Sequence, residues 1–213
     1  MLTLHHLEKS RSTRIVWAFE ELGVEYNIQH YKRTVQFAAP PELRAVHPLG
    51  KSPVLTDDNL VVAESAVILD YLAERYDTKH EFRPTQNPGL TQYNYWMHYA
   101  EGSLMPLLVM SLVLSIVPTR APFLVRPVAK KIVEGVTQGF IQPRLAEHIQ
   151  FLEQHLAKQQ YFASEFSFAD IQMSFPLIAI DERVNGKYPN IRAFIERIKQ
   201  RPAYIKAMSK AGD

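Results

Sequence analysis

The chain has 213 residues, which at about 150 per domain makes one large domain or two small ones. Its 24 basic and 22 acidic residues leave a net charge of +2, too small and too evenly spread for a nucleic-acid footprint. It has no cysteine, which excludes disulfides, thiolate-bound zinc, iron–sulfur clusters and any cysteine nucleophile, and which fits a reducing, cytoplasmic location.

The opening Met1-Leu2-Thr3-Leu4-His5-His6 has no basic region followed by an apolar core, so no signal peptide is expected. Leu2 to Leu7 and Tyr26 to Tyr31 have the pattern of short strands. Between them Ile15, Ala18, Phe19 and Leu22 fall at i, i+3, i+4 and i+7, an amphipathic helix that closes at Gly23. Pro40 to Val46 reads as a short helix or turn. Pro53 to Thr56 and Leu60 to Ala63 read as two strands around the turn Asp57-Asp58-Asn59. Ile68, Tyr71, Leu72 and Arg75 then continue as a helix. The order βαβ, connection, ββα predicts a small mixed sheet with helices packed on it.

Asp77 to Pro88 is polar, has two prolines and lacks periodicity, so it reads as the linker. Gly102 to Thr119 is uncharged over eighteen residues, the lower edge of a membrane span. Its Pro106 and its serines favour a buried, kinked helix over a span, with Leu107 to Val117 packed in a bundle or partly lining a substrate or subunit contact. Leu145, Ile149, Leu152 and Leu156 share a helix face, as do Ile171, Phe175 and Ile178, and Ile191, Phe194, Ile195 and Ile198. Ser167-Phe168-Ala169-Asp170 reads as a capping-box start, with Ser167 accepting from the Asp170 amide while Asp170 reaches back. The second half is an all-α bundle of about five helices.

Three places offer chemistry. Ser52-Pro53 before the third strand suggests a cis X–Pro bond and an edge beside which an extended peptide could lie. Glu64-Ser65, where a strand meets a helix, offers a carboxylate for an ammonium and helix N-terminal amides for a carboxylate. Ser10-Arg11-Ser12-Thr13-Arg14 puts two hydroxyls at a helix N-terminus, where a bound thiolate is stabilised. Ser12 is the better placed cap, which leaves Ser10 to face a ligand. Adjacent strand residues His5 and His6 point to opposite faces and cannot chelate one metal. His148 and His155 read as solvated surface residues, and no metal site is expected.

Together these segments resemble the cytosolic glutathione transferase family over essentially the whole chain. The resemblance rests on Ser10 with Arg14, on His47-Pro48-Leu49-Gly50-Lys51-Ser52-Pro53-Val54-Leu55, on Glu64-Ser65 before Ala66 to Leu72, and on Ser167 to Ile171, in family order and at family distances. Ala39 to Leu43 and Tyr99 to Leu104 look most like a subgroup of bacteria and fungi. It implies a thioredoxin-like glutathione-binding domain at 1–78, a linker at 79–87, and an all-α domain at 88–213 that contributes the electrophile site. It also implies a homodimer with no permanently bound cofactor, no nucleic acid and no membrane span.

By the same resemblance, glutathione is the co-substrate and its partner is a small, mostly hydrophobic electrophile, or a hydroperoxide in a peroxidase reaction. Ser10, or in its place Ser12, would hold the thiolate. Val54 after Pro53 would pair with the cysteinyl backbone, Glu64 and Ser65 would hold the γ-glutamyl head, and Lys51 would meet the glycine carboxylate. Tyr95, His98, Tyr99, Gly102 and Met105 are candidates to face the second substrate. The first strand has no tyrosine, and no cysteine replaces Ser10, so thiol-exchange chemistry is unavailable. A non-catalytic binding or regulatory protein on the same fold, or a ligand-sequestering one, is the alternative.

Overall fold

The computed structural model describes every residue except Phe37, Asn185 and Asp213. Strand β1 (Leu2–Leu7) lies parallel to β2 (Asn27–Tyr31) and antiparallel to β3 (Val54–Asp57). β3 turns through Asp58, at φ 51°, into the antiparallel β4 (Leu60–Ala63), and the sheet order is β2-β1-β3-β4. Helix α1 (Thr13–Leu22) buries Ile15, Val16, Trp17, Ala18 and Phe19 and ends at Gly23, whose φ of 66° suits a residue without Cβ. Trp17 and Phe19 are almost fully buried, about 2–3 kcal/mol of apolar stabilisation each. Helix α2 (Pro41–Val46) is short and anchored by Leu43, and α3 (Ser65–Tyr76) packs against α1.

The linker is more ordered than its composition suggests. The Asp77 carboxylate accepts the amides of Glu81, Phe82 and Arg83 at 2.9, 2.7 and 3.2 Å. Phe82 stacks on Phe168 with ring centroids 5.2 Å apart, and its carbonyl accepts the Phe168 amide. A turn built on one carboxylate and one buried aromatic ring fixes the strap to the helical half.

That half forms five helical bodies among the described residues. The first runs from α4 (Gly89–Tyr99) through a π-helical turn (Ala100–Leu104) into α5 (Met105–Arg120). The second joins α6 (Arg126–Val136) to α7 (Gln142–Leu156) through another π turn, and α8 (Phe168–Val184), α9 (Pro189–Lys199) and α10 (Pro202–Ala211) follow. The kink expected at Pro106 is the π turn just before it. Proline donates no hydrogen bond and crowds the carbonyl four residues back, so the ladder widens there.

The capping arrangement at α8 differs in detail from the expected box. Asp170 does reach back, accepting the Ser167 amide at 2.8 Å and the Phe162 amide at 2.9 Å. The Ser167 hydroxyl donates to the same carboxylate instead of accepting, and the Asp170 amide goes to the Ser167 carbonyl. Asp170 thereby ties two segments together as well as capping one.

Two expectations fail. Leu107 and Leu108 are buried, but Val109, Met110, Leu112, Val113, Ile116 and Val117 are exposed, because beyond Leu108 α5 packs chiefly on α6 and the π turn that follows it. Gly89–Arg120 is, among the described residues, the one helix long and apolar enough to cross a membrane, with a mean hydropathy of 1.9 over its most apolar stretch. Its first half is tied into the fold by buried Tyr93, Trp96 and Met97, so it is not a firm span. His155, expected on the solvated surface, lies half-buried and flat on Phe162, with its pKa lowered by burial. His148 likewise bonds the Tyr99 hydroxyl.

Candidate active site

A cleft of about 740 Å³ lies between the sheet and the helical half. Its floor is the turn from β1 into α1. Ser10 and Ser12 are both buried there. Ser12 takes the N-cap position of α1, but its hydroxyl makes no capping bond. It lies 2.7 Å from the Ser10 Oγ and 2.7 Å from His6 Nδ1. Ser10 lines the cleft and Ser12 does not.

The connection from α2 into β3 forms one side of the cleft with Gly50, Lys51, Ser52 and a cis-linked Pro53. Gly50 has a φ of 56°, and a Cβ built there would stand 2.8 Å from Arg44 Cγ, so the turn requires glycine. The opposite rim is the β4–α3 junction. Glu64 is exposed at φ 72°, a conformation that is strained for a residue with a side chain, and Ser65 opens α3. Val54 is fully buried, and its register partners are His5 on one side and Ala63 on the other. It sits inside the sheet instead of on the cleft wall, where Ser52 and Pro53 stand.

Of the second-substrate candidates, His98 and Gly102 line the cleft. Tyr95, Tyr99 and Met105 do not. Tyr95 and Tyr99 stack on each other, one turn apart on the other face of α4, and Tyr99 meets Phe151 and His148 of α7. Met105 is buried in the core. The cleft face of this helix carries Met97, His98, Glu101 and Gly102 instead.

A charged cluster on that wall was not anticipated. Arg14 is buried at 2% exposure, with Nη1 donating to Glu101 at 2.8 Å and to Gln172 at 2.9 Å. Arg11 Nε donates to the same Glu101 oxygen at 3.0 Å, and both guanidinium groups lie over the Phe175 ring. Burial pushes the Arg14 pKa down to about 10, against the pull of Glu101, so the group stays cationic at neutral pH. The partners lie 87 and 158 residues away, a separation no local pattern reveals. Among the described residues no three His, Asp or Glu side chains could hold a metal ion.

The N-terminal domain model of the glutathione S-transferase family matches residues 1–74, and a C-terminal domain model of that family matches residues 120–209. The chain is 38% identical over 218 residues to glutathione S-transferase 3 of Schizosaccharomyces pombe, covering 100% of this chain and 89% of that protein. It is 33% identical over 223 residues to glutathione S-transferase 1 of Saccharomyces cerevisiae, covering 99% and 95%. The fold matches the crystal structure of a glutathione S-transferase from Actinobacillus pleuropneumoniae with a TM-score of 0.79 at 32% identity, over 100% of this chain and 93% of that one. With a mixed four-stranded sheet leading into an all-α half, and this likeness from end to end, the chain belongs to the cytosolic glutathione transferase family and is a transferase.

Proposed function

We propose that the chain is a serine-type glutathione transferase in which the Ser10 hydroxyl donates to the thiolate of bound glutathione. The observation that carries this reading is the place of Ser10. It stands at the helix N-terminus on the cleft floor, with Lys51 on one rim and Glu64-Ser65 on the other. A free thiol ionises near pH 8.5, and a hydroxyl donor with a helix N-terminus lowers that by about one to several units.

In this reading Glu64 takes the γ-glutamyl ammonium, and Ser65 with the first amides of α3 takes its carboxylate, aided by the helix dipole. Lys51 meets the glycine carboxylate. The strand-like pairing with the cysteinyl backbone falls to Ser52, beside Pro53 on the cleft wall, instead of Val54. The thiolate then attacks an electrophilic carbon, forming the S–C bond as the electron pair passes to a leaving group or along a conjugated system. The same thiolate can attack the terminal oxygen of a hydroperoxide, forming an S–O bond as the O–O bond breaks and the remaining oxygen leaves, protonated, as the alcohol. His98 and Gly102, with Met97 and Phe175, border the space for that second substrate, which is largely hydrophobic. No cofactor is permanently bound.

The functional unit divides near residues 79–87 into a glutathione-binding part and an electrophile-binding part. It is a cytoplasmic homodimer, and the second copy covers the apolar faces of α5 and α6. Exposed Val128, Ile132 and Val136 form a stripe at i, i+4 and i+8 on α6, beside exposed Leu112, Val113 and Ile116 of α5.

The thiolate absorbance of glutathione titrated from pH 5 to 9 with saturating protein tests the assignment. The wild type is expected to bring the bound thiol at least about one unit below its free pKa, and Ser10→Ala to return it close to that value. Bound glutathione that ionises like free glutathione would sink the reading. Loss of the effect in Ser12→Ala but not in Ser10→Ala would move the role to Ser12.

A further inference from the structure

Behind Ser10 runs a chain of buried groups that leads away from the cleft. The Ser52 hydroxyl donates to the His5 carbonyl at 3.0 Å and accepts the Leu7 amide at 3.2 Å, so its proton is committed. Ser10 Oγ, 3.3 Å from Ser52 Oγ, is therefore the donor in that pair. Since Ser10 has spent its one proton, the 2.7 Å contact with Ser12 requires Ser12 to donate to Ser10. Ser12 has then spent its own, and the 2.7 Å contact with His6 requires the proton to sit on His6 Nδ1. The Ser12 backbone amide also points at Ser10 Oγ, at 3.3 Å. Both lone pairs of Ser10 are thus filled from behind, so its O–H, given to Ser52 at 3.3 Å, is the one bond of this hydroxyl that can turn to a ligand.

Each link is shielded from water: His6 is 1% exposed, Ser12 0% and Ser10 9%. Hydrogen bonds aligned in one direction polarise one another, most strongly where water is excluded. The His6 ring also lies edge-on to His30 at 5.3 Å.

We propose that His6 is a positioning residue for the thiolate, donating from Nδ1 through Ser12 so that the Ser10 hydroxyl is locked as a donor toward the sulfur of glutathione. The inference rests on the assignment of Ser10 above. His6 touches neither glutathione nor the electrophile. It sets the direction of the chain and takes up no proton itself.

The test is the same thiolate titration, with turnover at a fixed pH of about 6.5, on His6→Phe, His6→Asn and Ser12→Ala. Phenylalanine removes the donor, whereas the asparagine amide can set an N–H close to the Nδ1 position. In His6→Phe the bound thiol is expected to rise by about half a unit to one unit, a three- to tenfold loss of thiolate below that pKa, with the KM for glutathione unchanged. His6→Asn is expected to recover most of that shift. Ser12→Ala breaks the same link and is expected to match His6→Phe, so it decides the matter if the phenylalanine variant does not fold. A folded His6→Phe or Ser12→Ala with wild-type thiol ionisation overturns the inference while leaving Ser10 in place. Equal loss in His6→Asn and His6→Phe also overturns it, since a donor restored at that place would then not restore the thiolate. If Ser10→Ala too leaves the titration unmoved, the Ser10 assignment fails and takes this inference with it.

Discussion

Two charged side chains of α1 are held in opposite ways. Arg14 points inward and is shielded from water, with one nitrogen shared between Glu101 and Gln172. Glu20 points toward α10, where Lys206 and Lys210 meet it at 2.5 and 2.6 Å and the Tyr26 hydroxyl donates to it. Burial alone would raise the Glu20 pKa, but the two ammonium groups and the phenol hold it down to about 2. Between that value and the unfolded one near 4.5, the unfolded chain binds a proton that the folded chain does not, so stability rises with pH. The contribution is complete above about pH 4.5 and is lost as the pH falls toward 2. Because the lysines are partly exposed, it amounts to about 1 kcal/mol. Glu20→Gln is expected to lower stability by that amount at pH 7 and to flatten the acid dependence, as urea unfolding at pH 7 and pH 3 would show. Neither partnership was legible in the sequence, where nothing near Glu20 or Arg14 points to partners so far along the chain.

At the scale of elements, the sheet half was readable because its strands are short, apolar and bounded by turns. Gly23 closed α1 and Asp58-Asn59 turned β3 into β4 where the pattern placed them. The helix wall of the cleft was less readable. Helical spacing put Tyr95, His98 or Tyr99, and Gly102 on one side, but the packing of Tyr99 against α7 and the π turn at Ala100–Leu104 set the rotation that decides which side faces inward. The connection from α2 to β3 is the element most sensitive to a single atom. In Gly50→Ala the new methyl group would press on Arg44 Cγ at 2.8 Å and Ala39 Cβ at 3.2 Å, on a backbone with φ 56°. A loss of about 1–2 kcal/mol is expected. Since this turn carries Lys51 and Ser52, the KM for glutathione should rise several-fold while kcat changes little. Steady-state kinetics and a melting curve together would check both.

At the scale of the molecule, α5 and α6 present more apolar surface than a solvated helical hairpin needs. The residue pattern showed that this stretch was apolar but not where it would point, because burial of an apolar helix depends on neighbours that arrive from elsewhere in the chain or from a second copy. Under the proposed dimer, Val113→Glu is expected to halve the mass measured by light scattering at micromolar concentration, with the fold of the subunit intact by circular dichroism. An unchanged mass would place the interface elsewhere. The two halves of one subunit are joined more firmly. Trp17 packs edge-on to Tyr204, 5.0 Å away, and Arg201 grips Glu21 through two bonds of 2.6 and 2.8 Å.

That clasp between α1 and α10 has a temporal side. Residues 13–22 leave the ribosome long before residues 201–210 are made, and at about 5–20 residues per second the interval is on the order of ten seconds or more. Throughout it the outer face of α1, with Trp17 and the two adjacent glutamates, has no α10 to cover it. The sheet half of each new chain must wait half-dressed for a helix encoded well downstream of it, and a chaperone that recognises α1 would find its binding site open only during that wait.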